Sequence, residues 1–243
     1  MSRLPALLVA PVALRQGRAL QRDTPRLPEA HGPRDGLIGG AGSRTAKPLR
    51  LLVVGDSTAM GTGVQKLEEG LPGQLGRVLT ARTAAADAAD TAAVGGVAWR
   101  AVGRNGATAA EVLAEFSSAA VAAHFDLAVV LVGWNDALRL RPGNEFSRAL
   151  GRLLDRLHSA SPDARLVVVA PPMFGRFAAL PNPLRWALGR HARGLTRRAE
   201  QVARARSAAV APGFDGRSVA SDRFHPDATG YRELAAGIAA ALA

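Results

Sequence analysis

Residues 51–57 read Leu51-Leu52-Val53-Val54-Gly55-Asp56-Ser57, an unbroken apolar run that stops at a glycine, an acid and a serine. Four consecutive branched apolar residues without polar alternation describe a strand buried on both faces, the pattern of parallel sheets. Gly55 ends the run in a tight turn, and Gly61 and Gly63 give the backbone that follows unusual freedom. Working outward, similar apolar runs recur at 97–102, 127–132, 166–170 and, weakly, 208–211. Longer helical stretches separate them, at 71–82, 108–123, 145–159, part of 183–206, and 227–242. Thr108 and Glu111 have the spacing of a capping box at the start of the second of these. The alternation predicts an α/β protein, a three-layer α/β/α sandwich built on a flavodoxin-like five-stranded parallel sheet. In such a sheet the site lies outside the carboxyl ends of the strands.

The chain has 243 residues, of which 48% are hydrophobic, enough for one large domain with a substantial core. No cysteine occurs, which excludes disulfides and cysteine-based metal or redox centres and leaves the compartment open. The net charge of +11 is uneven: residues 1–50 carry +6 and residues 176–206 carry +7, so the remainder is close to neutral. Two basic segments on a neutral body suit an anionic partner, such as an anionic membrane surface met by the N-terminal arm, and suit solvated helix faces equally well. Nucleic acid is a poor candidate, because no binding motif or interleaved aromatic pattern accompanies the charge. The apolar stretch 4–14 is too short to span a bilayer, carries Pro5 and Pro11, and is followed by arginines. It reads as a short amphipathic arm that packs on the body or touches a membrane surface. Residues 36–48, rich in Gly, Ala and Ser, read as a linker, which divides the chain into an arm and linker over 1–48 and a folded domain over 49–243. The Ala-rich stretch 80–96 reads as a helix end and a tolerant surface connection.

Each of the first three strands delivers a short motif to the carboxyl edge. Ser57 follows the first. Taken alone it would serve as a helix cap. A Walker loop, a Gly-x-Gly-x-x-Gly turn and a Gly-x-Ser-x-Gly elbow are all excluded by the residues present. The second strand runs into Asn105-Gly106, where the Gly106 N–H can point into the same crevice. The third runs into Gly133-Trp134-Asn135-Asp136, where the Asn135 amide can donate to a developing oxyanion and Asp136 suits a bond to turn backbone. Near the carboxyl terminus, Asp222-Arg223-Phe224-His225-Pro226 sets an acid three residues before a histidine, just ahead of the last helix. That spacing can place the carboxylate on one ring nitrogen and leave the other for Ser57. Together the motifs supply a nucleophile, three oxyanion donors and an Asp-His pair, an inventory for acyl transfer through a serine.

These residues resemble the SGNH, or GDSL-type, hydrolase family of esterases and lipases over roughly residues 49–243. The resemblance implies Ser57 as nucleophile and oxyanion donor, Gly106 and Asn135 as the other donors, and Asp222 and His225 as the remaining triad members. It implies cleavage of a small or lipid ester through an acyl-enzyme, without metal or organic cofactor. Thr58 stands where a leucine is common in the family's first motif. Two further readings stay open: an acyltransferase on the same fold, and a non-catalytic module binding membrane or nucleic acid. Residues 171–191, with Met173, Phe174, Phe177, Leu180, Leu184 and Trp186, read either as an apolar acyl pocket beside arginines or as core packing of a helix.

Overall fold

The structure, a computed structural model, describes residues 4–39, 47–87 and 95–242. In chain order its elements are helix α1 (Leu4–Asp23), strand β1 (Asp35–Ile38), strand β2 (Leu49–Gly55), helix α2 (Leu71–Asp87), strand β3 (Val97–Gly103) and the short helices α3 (Ala109–Glu111) and α4 (Ser117–Ala120). A π-helical stretch, Val112–Phe116, joins the last two. Then come β4 (Leu127–Leu131), α5 (Trp134–Leu138), α6 (Gly143–Ala160), β5 (Arg165–Val169), α7 (Leu184–Arg204), β6 (Ala209–Ala211) and α8 (Ala228–Ala240).

The sheet has six strands in the order β1-β3-β2-β4-β5-β6. The five strands expected from the apolar runs are all present, mutually parallel, and wound as expected. Their side chains alternate between two cores, as period-two geometry requires. Leu52, Val54, Ala128, Val130 and Val168 face one side with the buried residues of α6 and α7; Leu51, Val53, Trp99, Val129 and Val167 face the other with those of α2 and α8. Thr108 caps α3 as its spacing predicted: its hydroxyl accepts from the Glu111 N–H at 3.3 Å, and Glu111 accepts from the Thr108 N–H at 2.7 Å.

The sixth strand corrects the five-stranded expectation and the linker drawn from residue 36. Asp35–Ile38 pairs antiparallel with β3, Asp35 opposite Arg100 and Ile38 opposite Val97. The signal was hidden because Gly36 lies flat on Trp99, where a Cβ would come within 2.7 Å of the indole ring. Glycine in a strand reads as a linker residue until the surface it covers is known. Residues 40–46 of the expected linker and 88–94 of the Ala-rich connection lie outside the described residues.

The arm is helical through Pro11. It docks on the start of α7, where the Gln16 side chain donates to the Asn182 carbonyl at 2.7 Å and accepts from the Leu184 N–H at 3.1 Å. Ala13 and Leu20 pack against the core, and Leu14, Arg15, Arg18 and Arg22 face solvent. No helix among the described residues is long and apolar enough to cross a membrane.

Candidate active site

Pairing register brings the motifs together. Gly55, the last residue of β2, is level with Gly103 at the end of β3 and Leu131 at the end of β4. The loops bearing Ser57, Gly106 and Asn135 therefore leave the sheet at one height on adjacent strands. No helix starts directly behind Ser57, so the serine is not a helix cap. The chain instead makes a wound turn in which Met60 N–H donates to Asp56 O at 3.2 Å and Thr62 N–H to Ser57 O at 3.0 Å. This turn returns through Gly63, whose φ of +107° suits glycine; a Cβ there would also strike the Pro226 carbonyl. The serine turn and the histidine loop are thus in backbone contact. The buried Tyr231 of α8 adds a second tie, its hydroxyl donating to the Thr62 carbonyl at 2.7 Å.

The Ser57 Oγ lies 2.9 Å from His225 Nε2, and His225 Nδ1 lies 2.5 Å from Asp222 Oδ2. The other Asp222 oxygen accepts from the N–H groups of Phe224 at 2.9 Å and His225 at 3.0 Å. Burial pushes the Asp222 carboxyl up, but its bonds from the His225 ring, the Phe224 N–H and the His225 N–H outweigh this and hold it below the usual carboxylate range. Asp222 is then an acceptor only, so Nδ1 donates to it, and in the neutral ring Nε2 is free to accept from the Ser57 hydroxyl. The last helix begins where the sequence places it: Asp227 caps α8 by accepting from Thr229 N–H at 2.8 Å and Gly230 N–H at 2.9 Å.

The N–H groups of Ser57 and Gly106 donate to no protein acceptor among the described residues. Asn135 spends one amide hydrogen on the Ala107 carbonyl at 3.0 Å, leaving the other. Asp136 accepts from the Ala109 N–H at 3.0 Å, the structural role its position suggested. Asp56, quoted in the first motif without a role, is buried and accepts from the Thr58 N–H at 3.1 Å. Burial pushes its carboxyl up to about 7; the Thr58 bond and the nearby His225 pull it down, and Asp136 adds a push upward. Sequence reasoning also missed Glu29 and Arg139, which hold Asn105 and Gly106 from either side and belong to no motif. Among the described residues no group of three or more His, Asp or Glu side chains is placed to hold a metal ion.

The two readings of residues 171–191 separate cleanly. Phe174, Phe177, Leu180 and Leu184 are buried in the core, whereas Met173 and Trp186 are 41% and 46% exposed. Aromatic stacking explains the burial: Trp134, beside Asn135, stacks on Phe174 at 4.5 Å between centroids, and Phe177 meets Trp134, Phe214 and Phe224. Phe174, Phe177, Leu180 and Leu184 thus form the floor under the site, while Trp134 and Phe214 line a small cavity beside Asp56 and Thr58.

Residues 53–233 match the GDSL-like lipase/acylhydrolase family. The chain belongs to that family. GDSL-like proteins are acyl hydrolases, and the mostly parallel six-stranded sheet flanked by helices matches their fold. TesA is 22% identical over 79% of this chain and 97% of its own, with a TM-score of 0.58. The extracellular lipase of Streptomyces rimosus is 17% identical over 78% of this chain and 99% of its own, at 0.57. The acetylxylan esterase Axe2 of Geobacillus stearothermophilus is 17% identical over 82% of this chain and 96% of its own, at 0.54. At these identities the likeness is one of fold. No curated protein is significantly similar to the chain in sequence.

Proposed function

We propose that this GDSL-like hydrolase cleaves carboxylic esters through a Ser57-His225-Asp222 triad and a covalent acyl-enzyme. The supporting observation is the continuous chain of hydrogen bonds from Ser57 Oγ through both His225 nitrogens to Asp222, at 2.9 and 2.5 Å. Ser57 Oγ attacks the ester carbonyl carbon while its proton passes to His225 Nε2; the imidazolium is held by the Asp222 carboxylate. The carbonyl oxygen takes the negative charge and accepts from Ser57 N–H, Gly106 N–H and the second hydrogen of Asn135 Nδ2. As the C–O bond to the alcohol breaks, His225 returns the proton to the leaving oxygen. Water then enters, gives a proton to Nε2 and attacks the acyl carbon, releasing the acid and restoring Ser57.

Hydrolysis of a panel of p-nitrophenyl esters by wild type and Ser57→Ala tests this. Removing the nucleophile of a working triad lowers kcat about a million-fold, so the variant should show only background turnover. Undiminished turnover would exclude Ser57, and transfer to added alcohols in place of water would favour an acyltransferase.

A further inference from the structure

The N-terminal segment precedes the family match, which starts at residue 53, yet it bonds directly to the turn that carries Gly106. Glu29 Oε1 accepts from the Asn105 N–H at 2.7 Å, and the Leu27 carbonyl accepts from Asn105 Nδ2 at 3.2 Å. The second Glu29 oxygen is held by Arg34 at 2.9 Å, and Arg34 also donates to the Gly103 carbonyl at 3.1 Å. From the opposite side Arg139, paired with Glu111 at 3.0 Å, donates to the Gly106 carbonyl at 2.8 Å. The Asn105-Gly106 unit is therefore gripped at its leading N–H and its trailing C=O. Its central N–H, that of Gly106, has no protein acceptor among the described residues.

This turn needs such a grip. It lies between Gly103 and Gly106, both at positive φ, and glycine backbone has the most freedom to lose. A donor aids an oxyanion only when it is fixed before the charge forms, since reorientation during the reaction spends the stabilisation gained. The bond from Asn105 N–H to a carboxylate is of the stronger, charge-assisted kind.

We infer that Glu29 is a positioning residue, and that the segment from Leu27 to Arg34 is a built part of the active site that fixes the Gly106 N–H as an oxyanion donor. The inference rests on the serine-hydrolase reading and deepens it. Glu29 bonds to Asn105 and Arg34 and to neither Ser57 nor His225, so its effect runs through Asn105.

The test uses the full chain as wild type, Glu29→Ala, Glu29→Asp and Glu29→Gln. It measures kcat and KM on a p-nitrophenyl ester, the rate of inactivation by a fluorophosphonate, and the urea midpoint. Deleting a donor outright costs about 10²–10³ in kcat, so loosening one should cost at least about tenfold. The Ala and Asp variants, which remove or withdraw the acceptor, should lose that much kcat with KM within about twofold and react more slowly with the phosphonate. Glu29→Gln, whose amide oxygen still reaches the Asn105 N–H, should keep most of the activity. If Glu29→Ala fails to fold, the Asp and Gln pair decides the matter. Wild-type kcat in the Ala or Asp variant, or equal loss in Asp and Gln, would overturn the inference. A wild type that neither turns over nor reacts with the phosphonate would overturn the serine-hydrolase reading itself.

Discussion

Asp56 and Asp222 are two buried carboxyls near one histidine, and their surroundings drive them in opposite directions. Three hydrogen bonds keep Asp222 ionised, while burial outweighs the bonding of Asp56 to Thr58 and pushes Asp56 up to about 7. The sign of the stability effect follows from proton counting. An unfolded Asp has lost its proton above about pH 4, whereas folded Asp56 keeps it to about 7, so its contribution to stability declines as pH rises through that window. Asp56→Asn retains an oxygen for the Thr58 N–H and does not titrate. Urea unfolding between pH 5 and 7 should therefore show wild type losing stability relative to Asp56→Asn by up to about 1.4 kcal/mol per pH unit. Parallel stability curves for the two proteins would contradict the assignment. The partnerships of Ser57, His225 and Asp222 were legible in the sequence because Asp-x-x-His is a local spacing and the serine follows a recognisable strand. Glu29 was not legible: it stands 76 residues from Asn105, with no motif to link them.

At the scale of elements, the five parallel strands were legible because each is buried on both faces and so reads as a continuous apolar run. β1 is an edge strand with a glycine on Trp99, so neither burial nor alternation marked it. The aromatic residues after β5 were ambiguous for a different reason, since an apolar stripe reads alike as pocket lining or as core. Packing settles it: Phe177 is wholly buried and touches Trp134 from the Asn135 turn and Phe224 from the His225 loop, at 5.1 and 6.1 Å between centroids. Phe177→Ala should thus destabilise the fold by about 3–5 kcal/mol. It should also lower kcat, because two site loops lose a shared support. Urea unfolding together with ester hydrolysis checks both, and a stability loss under about 1 kcal/mol would show that the aromatic floor is not the support described.

Across the whole molecule, one topological fact organises the rest. Parallel strands of equal height place every strand-to-helix turn on the same edge, so residues 168 positions apart, Ser57 and His225, meet at 2.9 Å. The N-terminal segment lays β1 alongside β3 and brings Glu29 to the Asn105 turn at the carboxyl edge. The central claim is that this geometry makes Ser57 the nucleophile. Its most direct measurement is reaction of the wild-type chain with a fluorophosphonate, followed by mass mapping of the adduct. A single adduct on Ser57, formed as ester hydrolysis is lost, is the predicted result; an adduct on another residue, or hydrolysis that persists with Ser57 fully modified, would contradict it.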